Sequence, residues 1–399
     1  MIFTIAYLLF SSVTGRFSYD VWNDVPCQEF YQPENCDFDK LLKVTVDDFD
    51  RCAPALLPLD FRNYFLGAAG RRDTYIENKR AYRRIQIIPK VLRNVYRNQL
   101  KTRVLGEEVD FPIGLSPVAL QKLAHPEGEL ATISALSDVK TVMILSSYST
   151  TSIEEVAMKA RGTRIQLWMQ TYIFQNRSLT EEIVRRADRS HFKAIVLTAD
   201  SNIQGTLTCH ARRFQIPDHI KLVNLGPEYE DIVSAAATFD DIRWLKTITR
   251  LPIVVKGILS GEDARSAVQA GASAILVSNH GARQLDSDPA TIDVVSNVVD
   301  ALKVFYPPRE VYMDGGIRSG VDAFKAIASG ARMVFFGRPT IWGLTINGSE
   351  GVKQVLNLVK SEFNDTMLLS GYAQPSDIRR NSLIPMYRSH CTRGYVNEQ

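Results

Sequence analysis

One stretch of the chain reads Pro252-Ile-Val-Val-Lys-Gly257, then Ser260-Gly-Glu-Asp-Ala-Arg-Ser-Ala-Val-Gln-Ala270, then Ala274-Ile-Leu-Val-Ser-Asn-His280. The two outer segments are short and rich in β-branched residues, which is typical of buried strands. The middle segment has the apolar spacing of a helix, and Gly271 follows it as a C-terminal stop. The stretch therefore predicts a strand, a helix and a second strand parallel to the first.

The same pattern recurs from about residue 109 onward. In one further unit, Ser178 is expected to cap a helix and Glu181 to complete the capping box. Repeated units of this kind predict an α/β fold, a closed (β/α)8 TIM barrel with an N-terminal helical extension, and not an open sheet. The eight predicted strands lie at 111–117, 141–147, 164–170, 193–200, 252–257, 274–280, 311–316 and 333–339.

The composition excludes several classes of protein. The 399 residues are 45% hydrophobic and 23% charged, which is typical of a globular protein with a large core. A formal charge of +3 is too small to predict binding to nucleic acid or to an anionic membrane, so a small-molecule partner is expected. The 5 cysteines have no metal-ligand spacing, and they indicate neither a metal site nor a disulfide framework.

Polar side chains follow the predicted strands, where parallel barrels carry their chemistry. For any one of these residues, capping a helix or lining a loop is as good an explanation as a functional role. A structural role does not explain why so many strand ends are polar. The strand ends read Ser146-Ser147-Tyr148, Gln170-Thr171-Tyr172, Thr198-Ala199-Asp200, Lys256-Gly257, Ser278-Asn279-His280, Asp314-Gly315-Gly316 and Gly337-Arg338.

A phosphate site is predicted after the last two strands, where glycines precede Arg318 and Arg338. The chain has neither G-x-G-x-x-G nor a Walker sequence, so a Rossmann dinucleotide or a P-loop nucleotide is not the expected ligand. Lys256, on an apolar strand, fits either a Schiff-base lysine or a cation beside a ring that becomes negative on reduction. FMN would supply both the phosphate and the ring.

These residues resemble the FMN-dependent 2-hydroxyacid oxidases, the glycolate oxidase and hydroxyacid oxidase group, over about residues 44–377. The matching motifs are Ser278-Asn-His-Gly-Ala-Arg-Gln-Leu-Asp286, with Ala282 in place of the usual glycine, and Ala124-His-Pro-Glu-Gly128, Leu145-Ser-Ser147 and Val255-Lys-Gly257. The resemblance implies that FMN is the cofactor and that an (S)-2-hydroxy acid becomes a 2-oxo acid while O2 becomes H2O2. It also implies a homotetramer, and a division into a leader at 1–42, a catalytic domain at 43–377 and a tail at 378–399.

The resemblance assigns roles to individual residues. His280 is the base that takes a proton from the substrate, and Asp200 is the carboxylate that pairs with it. Arg283 and Tyr64 bind the substrate carboxylate, and Tyr172 donates a hydrogen bond to the substrate oxygen. The implied flavin contacts are Ser146, Gln170, Thr198, Lys256, Ser278, Asp314, Gly315, Gly316, Arg318, Gly337 and Arg338.

The loop after the fourth strand departs from the family pattern. Thr206 and Leu207 stand where a second substrate arginine is usual, and Arg212 or Arg213 is the candidate replacement. Without that arginine the usual small substrate, glycolate, is in doubt, and a longer or more apolar 2-hydroxy acid is expected.

The pocket and the electron acceptor show further differences. Tyr148 replaces a usual tryptophan and Phe174 a usual tyrosine, so a pocket of different shape is expected, whereas Ala119 resembles the oxidases and favours oxygen as acceptor. Two alternatives remain open: an FMN-binding barrel with weak or lost turnover, and a dehydrogenase that uses another electron acceptor.

The location in the cell has two interpretations. The resemblance implies a peroxisomal protein, although the chain ends Val396-Asn-Glu-Gln399 and not in a Ser-Lys-Leu type signal. The apolar run at 1–15 resembles a signal peptide without basic residues before it, which makes secretion the alternative. In that case Cys27 is expected to pair with Cys36, and the sequons at Asn176, Asn347 and Asn364 become relevant.

Overall fold

The computed structural model describes residues 36, 45–203, 205, 207, 214–226 and 233–385. These residues belong to one compact unit, Pro33–Gln399. Short elements come first in the chain, and the N-terminal helical extension is confirmed. These elements are helices α1 (Val46–Cys52), α2 (Leu59–Leu66) and α3 (Asp73–Arg80), and strands β1 (Ile85–Ile87), β2 (Thr102–Val104) and β3 (Glu107–Val109).

Eight parallel strands then close into a barrel, because the last of them pairs with the first through Val334 and Ile113. Each strand lies within or overlaps one of the predicted runs, so the TIM barrel is confirmed. The strands are β4 (Ile113–Leu115), β5 (Val142–Leu145), β6 (Gln166–Thr171), β7 (Ala194–Thr198), β8 (Ile253–Ile258), β9 (Ala274–Val277), β10 (Glu310–Met313) and β11 (Met333–Phe336).

Helices pack around the barrel and alternate with its strands. They are α4 (Glu129–Ala135), α5 (Ile153–Ala160), α6 (Arg177–Arg189), α7 (Asp240–Ile248), α8 (Gly261–Gln269), α9 (Thr291–Leu302), α10 (Gly320–Ala328) and α11 (Arg338–Leu369), which is kinked at Asn347 and Gly348. The predicted cap of α6 was wrong. Asn176 caps this helix by accepting a hydrogen bond from the backbone N–H of Ser178, so Ser178 lies inside the helix.

Side chains fill the interior of the barrel. Trp168, Tyr312 and Phe335 pack with their ring centroids 5.4–6.1 Å apart. Val104 and Val109 of the β2–β3 hairpin join the same buried cluster. A filled interior leaves no pore, so space for a ligand lies at the carboxyl ends of the strands.

Two features at the ends of the domain differ from the expectations. Strand β12 (Leu383–Pro385) pairs antiparallel with β1, so the folded unit continues past the expected boundary at 377. Cys36 forms a disulfide with Cys52 at the end of α1, not with Cys27, which lies outside the described residues. The pairing joins segments 16 residues apart, and sequence spacing alone did not indicate it. Within the described part of the chain, every helix is too short or too polar to cross a bilayer.

Candidate active site

A cavity of about 990 Å³ opens at the carboxyl ends of the barrel strands. It brings together every predicted site residue except Asp200 and Ser278, which lie behind the cavity wall. The predicted residues that line it are Tyr64, Ser146, Gln170, Tyr172, Thr198, Lys256, His280, Arg283, Asp314, Gly315, Gly316, Arg318, Gly337 and Arg338.

A largely buried carboxylate, that of Asp200, sets the orientation of the histidine in this cavity. Asp200 Oδ1 lies 2.8 Å from His280 Nδ1, and Ser201 Oγ lies 3.3 Å from the same nitrogen. Asp200 Oδ2 faces Lys256 Nζ at 3.9 Å. Because an ionised carboxylate only accepts hydrogen bonds, Nδ1 carries a hydrogen and donates a hydrogen bond to Asp200. Nε2 is then the nitrogen that can accept a proton.

The charges around this pair set both pKa values. Burial alone would raise the pKa of Asp200, but Lys256 and His280 outweigh it and lower that pKa to about 2. Burial and the positive charge of Lys256 lower the pKa of His280 below its usual 6.5, and Asp200 only partly opposes them. At neutral pH the imidazole is therefore uncharged and able to act as a base.

Backbone conformation brings the pair together. Gly257 has φ +103°, and a Cβ at this position would lie 2.6 Å from Asp200 Cβ. Only glycine allows the strand that carries Lys256 to approach Asp200 so closely. His280 itself has φ +56°, in the left-handed region, and its backbone N–H donates to the hydroxyl of buried Ser278 at 3.1 Å. Ser278 thus supports His280 from behind, and its predicted flavin contact stays a prediction.

Two arginines tie α2 to the cavity. Arg283 Nη1 donates to the carbonyls of Tyr64 and Gly67 at 2.8 and 3.1 Å, and its guanidinium carbon lies 5.1 Å from the Tyr64 ring centroid. A guanidinium has five N–H donors, and Nη2 and Nε make no hydrogen bond within the described part of the chain, so they can bind a carboxylate. Arg338 donates to the carbonyls of Phe65, Gly67 and Gly281. These bonds hold the Arg338 guanidinium in place, and its contact with the FMN phosphate stays a prediction.

The aromatic hydroxyls of the site keep their protons. Burial raises the pKa of Tyr172, and burial likewise raises that of Tyr64 although Arg283 opposes it. Both phenols are therefore hydrogen-bond donors at any physiological pH, as an anionic substrate requires.

The polar groups expected around the flavin ring form a connected row across neighbouring strands. Gln170 Nε2 donates to Thr198 Oγ1 at 3.0 Å, and Gln170 Oε1 accepts from the backbone N–H of Ser147 at 3.1 Å. Thr198 pairs in register with Lys256 on the next strand, whose side chain is buried. These bonds fix the side chains before any ligand binds, which lowers the cost of binding a planar ring.

The opposite end of the cavity has the features of a phosphate and ribityl site. Arg318 Nε and Asp314 Oδ1 are buried and have no hydrogen-bond partner among the described residues. Arg318 Nε is a cationic donor suited to a phosphate oxygen, and Asp314 Oδ1 is an acceptor suited to a ribityl hydroxyl. Gly316 has φ +77°, and a Cβ there would lie 2.0 Å from the carbonyl oxygen of Asn78. The residues present therefore fit FMN at both ends.

The remaining wall has an apolar and aromatic part beside the polar side chains of Gln175, Asn202, Gln215 and Gln284. The ring of Tyr148 meets that of Tyr172 edge to face at 5.8 Å, and the Phe214 ring lies 4.6 Å from that of Tyr64. Leu207 is buried and lines the cavity, and its backbone forms an isolated antiparallel β-bridge with Ala69 of the N-terminal extension. The other apolar residues that line the cavity include Val118, Ala119, Ile203, Ile216 and Val233.

Not every predicted pocket residue takes part in this wall. Phe174 is fully buried and packs edge-on against Tyr172 at 5.9 Å, so it affects the pocket through Tyr172 and does not line it. Thr206, Arg212 and Arg213 lie outside the described residues.

Sequence reasoning missed two contributors from α3. Asn78 exchanges two hydrogen bonds with Asn279, at 2.9 and 2.8 Å, and so fixes α3 against the end of β9. Lys79, the next residue, lines the cavity. Neither belongs to a barrel strand, and the run Glu77-Asn-Lys-Arg80 carries no local signal for a ligand site.

Comparison with known proteins places the chain in a family. The profile of the FMN-dependent dehydrogenases matches residues 53–385, which include the whole barrel. The chain belongs to the FMN-dependent dehydrogenase family. Human 2-hydroxyacid oxidase 1 is 41% identical to this family member over 348 residues, which is 82% of this chain and 93% of the relative. A peroxisomal (S)-2-hydroxyacid oxidase of Arabidopsis thaliana is 43% identical over 352 residues, 85% of this chain and 95% of the relative.

Solved structures of similar proteins share the fold of this family member. A mandelate oxidase variant with (S)-mandelic acid superposes with a TM-score of 0.79 at 35% identity, covering 86% of this chain and 98% of the other. A lactate oxidase of Pediococcus acidilactici gives a TM-score of 0.82 at 30% identity and covers 90% and 98%. Because FMN defines the family, the cofactor assigned from the strand ends is confirmed.

Proposed function

We propose that this protein is an FMN-dependent (S)-2-hydroxyacid oxidase. The observation that carries the proposal is the Asp200–His280 pair, 2.8 Å apart, on the cavity that Arg283 also lines. A base, its orienting carboxylate and a cation for the substrate carboxylate are the groups that oxidation of a 2-hydroxy acid needs. The overall reaction converts a 2-hydroxy acid and O2 into a 2-oxo acid and H2O2.

The protein residues bind the substrate and handle its proton. Arg283 and Tyr64 hold the carboxylate, and Tyr172 donates to the oxygen on C2. His280 Nε2 takes up a proton as C2 is oxidised, and Asp200 stabilises the imidazolium that forms. FMN, when bound, supplies the two-electron acceptor. Lys256, buried at the end of β8, places a positive charge where negative charge develops on the ring.

The substrate side chain is apolar and larger than that of glycolate. Tyr148, Leu207 and Phe214 present hydrocarbon surface to the cavity beyond the carboxylate site. Each buried methylene of a substrate adds about 0.8 kcal/mol to binding. A long-chain or aromatic 2-hydroxy acid therefore gains several-fold in kcat/KM over lactate for each methylene that this wall covers.

The test is an anaerobic spectrum of the purified protein with glycolate, lactate or 2-hydroxyoctanoate, followed by admission of air. An oxidase with an apolar pocket bleaches fastest with 2-hydroxyoctanoate, regains its colour in air and produces stoichiometric H2O2. Flavin that no acid reduces contradicts the oxidase and supports the binding-protein alternative. Flavin that is reduced but stays bleached in air supports the dehydrogenase alternative. We favour the oxidase over this alternative because Ala119, which lines the cavity, is the residue that resembles the oxidases.

We propose further that the protein enters the secretory pathway. The Cys36–Cys52 disulfide supports an oxidising compartment, where such bonds persist, over the peroxisome that the family resemblance implies. Asn176 and Asn347, which begin two of the sequons, are exposed. Endoglycosidase treatment of the protein from eukaryotic cells should increase its gel mobility. Colocalisation with a peroxisomal marker and no mobility change would contradict this. The homotetramer implied by the resemblance is tested by light scattering on the same material.

A further inference from the structure

Four segments of the chain meet beside the phosphate end of the cavity. Asp50 of α1 accepts hydrogen bonds from Arg318 Nη2 at 3.1 Å and from Lys79 Nζ at 3.2 Å. The indole N–H of Trp342 donates to the same carboxylate at 2.7 Å. The Asp50 side chain is only 8% exposed. A buried carboxylate with three donors on it is a fixed point that holds both cations.

Both cations also face the cavity. Arg318 and Lys79 line it next to Gly315 and Gly316. Arg318 uses Nη2 for Asp50 and Nη1 for the carbonyl of Ile317, which leaves Nε without a partner among the described residues. Asp314 also lines this end of the cavity, so the two cations face two carboxylates there and the charge count alone does not favour an anion. The groups that favour an anion are Arg318 Nε, which has no partner among the described residues, and the ammonium group of Lys79.

We propose that Asp50 is a positioning residue that holds Arg318 and Lys79 for the FMN phosphate, and that Lys79 is an additional cation of this phosphate site. The proposal rests on FMN being the cofactor. Arginine and lysine side chains both lose rotamer freedom when they are fixed. Asp50 fixes both before the phosphate arrives, so binding does not bear that cost.

The positioning role and simple electrostatics predict opposite effects. A carboxylate close to the phosphate repels it, so removing the Asp50 charge would tighten FMN binding if Coulomb energy alone mattered. If Asp50 positions the cations, its removal weakens FMN binding. Riboflavin has the same ring and ribityl chain without the phosphate, so it separates an effect on the phosphate site from damage to the whole cavity.

The experiment uses the full-length protein with Asp50→Asn, Lys79→Gln and the control Asp47→Asn. Asp47 lies on the same helix, carries the same charge and is exposed. Flavin fluorescence first measures the release of FMN from the holoprotein. It then measures the equilibrium binding of FMN and of riboflavin to the apoprotein. We expect Asp50→Asn to weaken FMN about tenfold and riboflavin less than about twofold. Lys79→Gln should weaken FMN about threefold or more and flatten its salt dependence. The charge of Asp47 acts on Arg318 without a hydrogen bond to it, so Asp47→Asn removes a negative charge without removing a positioning contact and should not weaken FMN binding.

Equal losses for FMN and riboflavin would show a general structural role and overturn the proposal, and so would tighter FMN binding by Asp50→Asn. If Asp50→Asn yields no soluble protein, Lys79→Gln decides, because unchanged FMN affinity in that variant contradicts a phosphate-binding lysine. No turnover is needed for this readout. The proposal therefore stands or fails independently of the oxidase reaction, whereas a wild-type protein that binds neither flavin contradicts the cofactor assignment itself.

Discussion

Replacing Asp200 with asparagine should abolish the base while keeping the shape of the site. Both carboxylate oxygens face donors, Oδ1 towards His280 Nδ1 at 2.8 Å and Oδ2 towards Lys256 Nζ at 3.9 Å. An amide has one oxygen, so one of these donors must face its NH2 group. Lys256 carries a full charge and takes the oxygen, which turns the NH2 towards His280. The imidazole then protonates at Nε2, and no lone pair faces the substrate.

The magnitude follows from the role of a general base. Such a group contributes about 10²–10⁴-fold to the rate, so the maximal rate of flavin reduction in Asp200→Asn should fall at least about 100-fold. The pH profile adds a direction. His280 is active when neutral, and Asp200 raises its pKa, so losing the carboxylate lowers that pKa further. The acidic limb of the profile should therefore move to lower pH while the plateau falls.

Anaerobic stopped-flow measurement of flavin bleaching across the acidic and neutral pH range tests both parts. Ser201→Ala is the matched control, because its hydroxyl lies 3.3 Å from the same nitrogen but carries no charge. It should change the rate by only about twofold. A plateau in Asp200→Asn close to that of the wild type, or an acidic limb that moves to higher pH, would refute the reasoning.

Three further results are expected. Gly257→Ala places a Cβ 2.6 Å from that of Asp200 at φ +103°, so it should lower the free energy of unfolding by at least about 1–2 kcal/mol in chemical denaturation and slow flavin reduction; wild-type values for both would contradict the packing argument. Arg283→Lys loses the planar fork and should lower kcat/KM about tenfold or more in steady-state assays, with the flavin absorbance of the holoprotein unchanged. Non-reducing peptide mapping should find Cys36 linked to Cys52, and a Cys27–Cys36 peptide would show that the pairing is wrong.

The barrel could be predicted because its signals are local. Each strand is a short β-branched or apolar run, and seven of the eight are followed by polar residues that packing in a core does not explain. Parallel strands in a closed barrel bring those residues to one end, so the sequence alone assigns His280, Lys256 and Arg318 to a common site. The cap of α6 was placed wrongly because Asn176 and Ser178 are both good capping residues, and only the backbone conformation distinguishes them.

The sequence by itself determined the order of strands and helices, the end of the barrel that carries the chemistry, and the FMN-binding family. Tertiary structure alone decided which side chains face the cavity and which stand behind it. Phe174 supports Tyr172 from behind, and Asp50 reaches Arg318 across 268 positions of the chain. The physical reason is that periodicity encodes only which face of an element is buried. Contacts such as that of Asp50 depend on how α1 and α3 dock against the barrel, which no local pattern records.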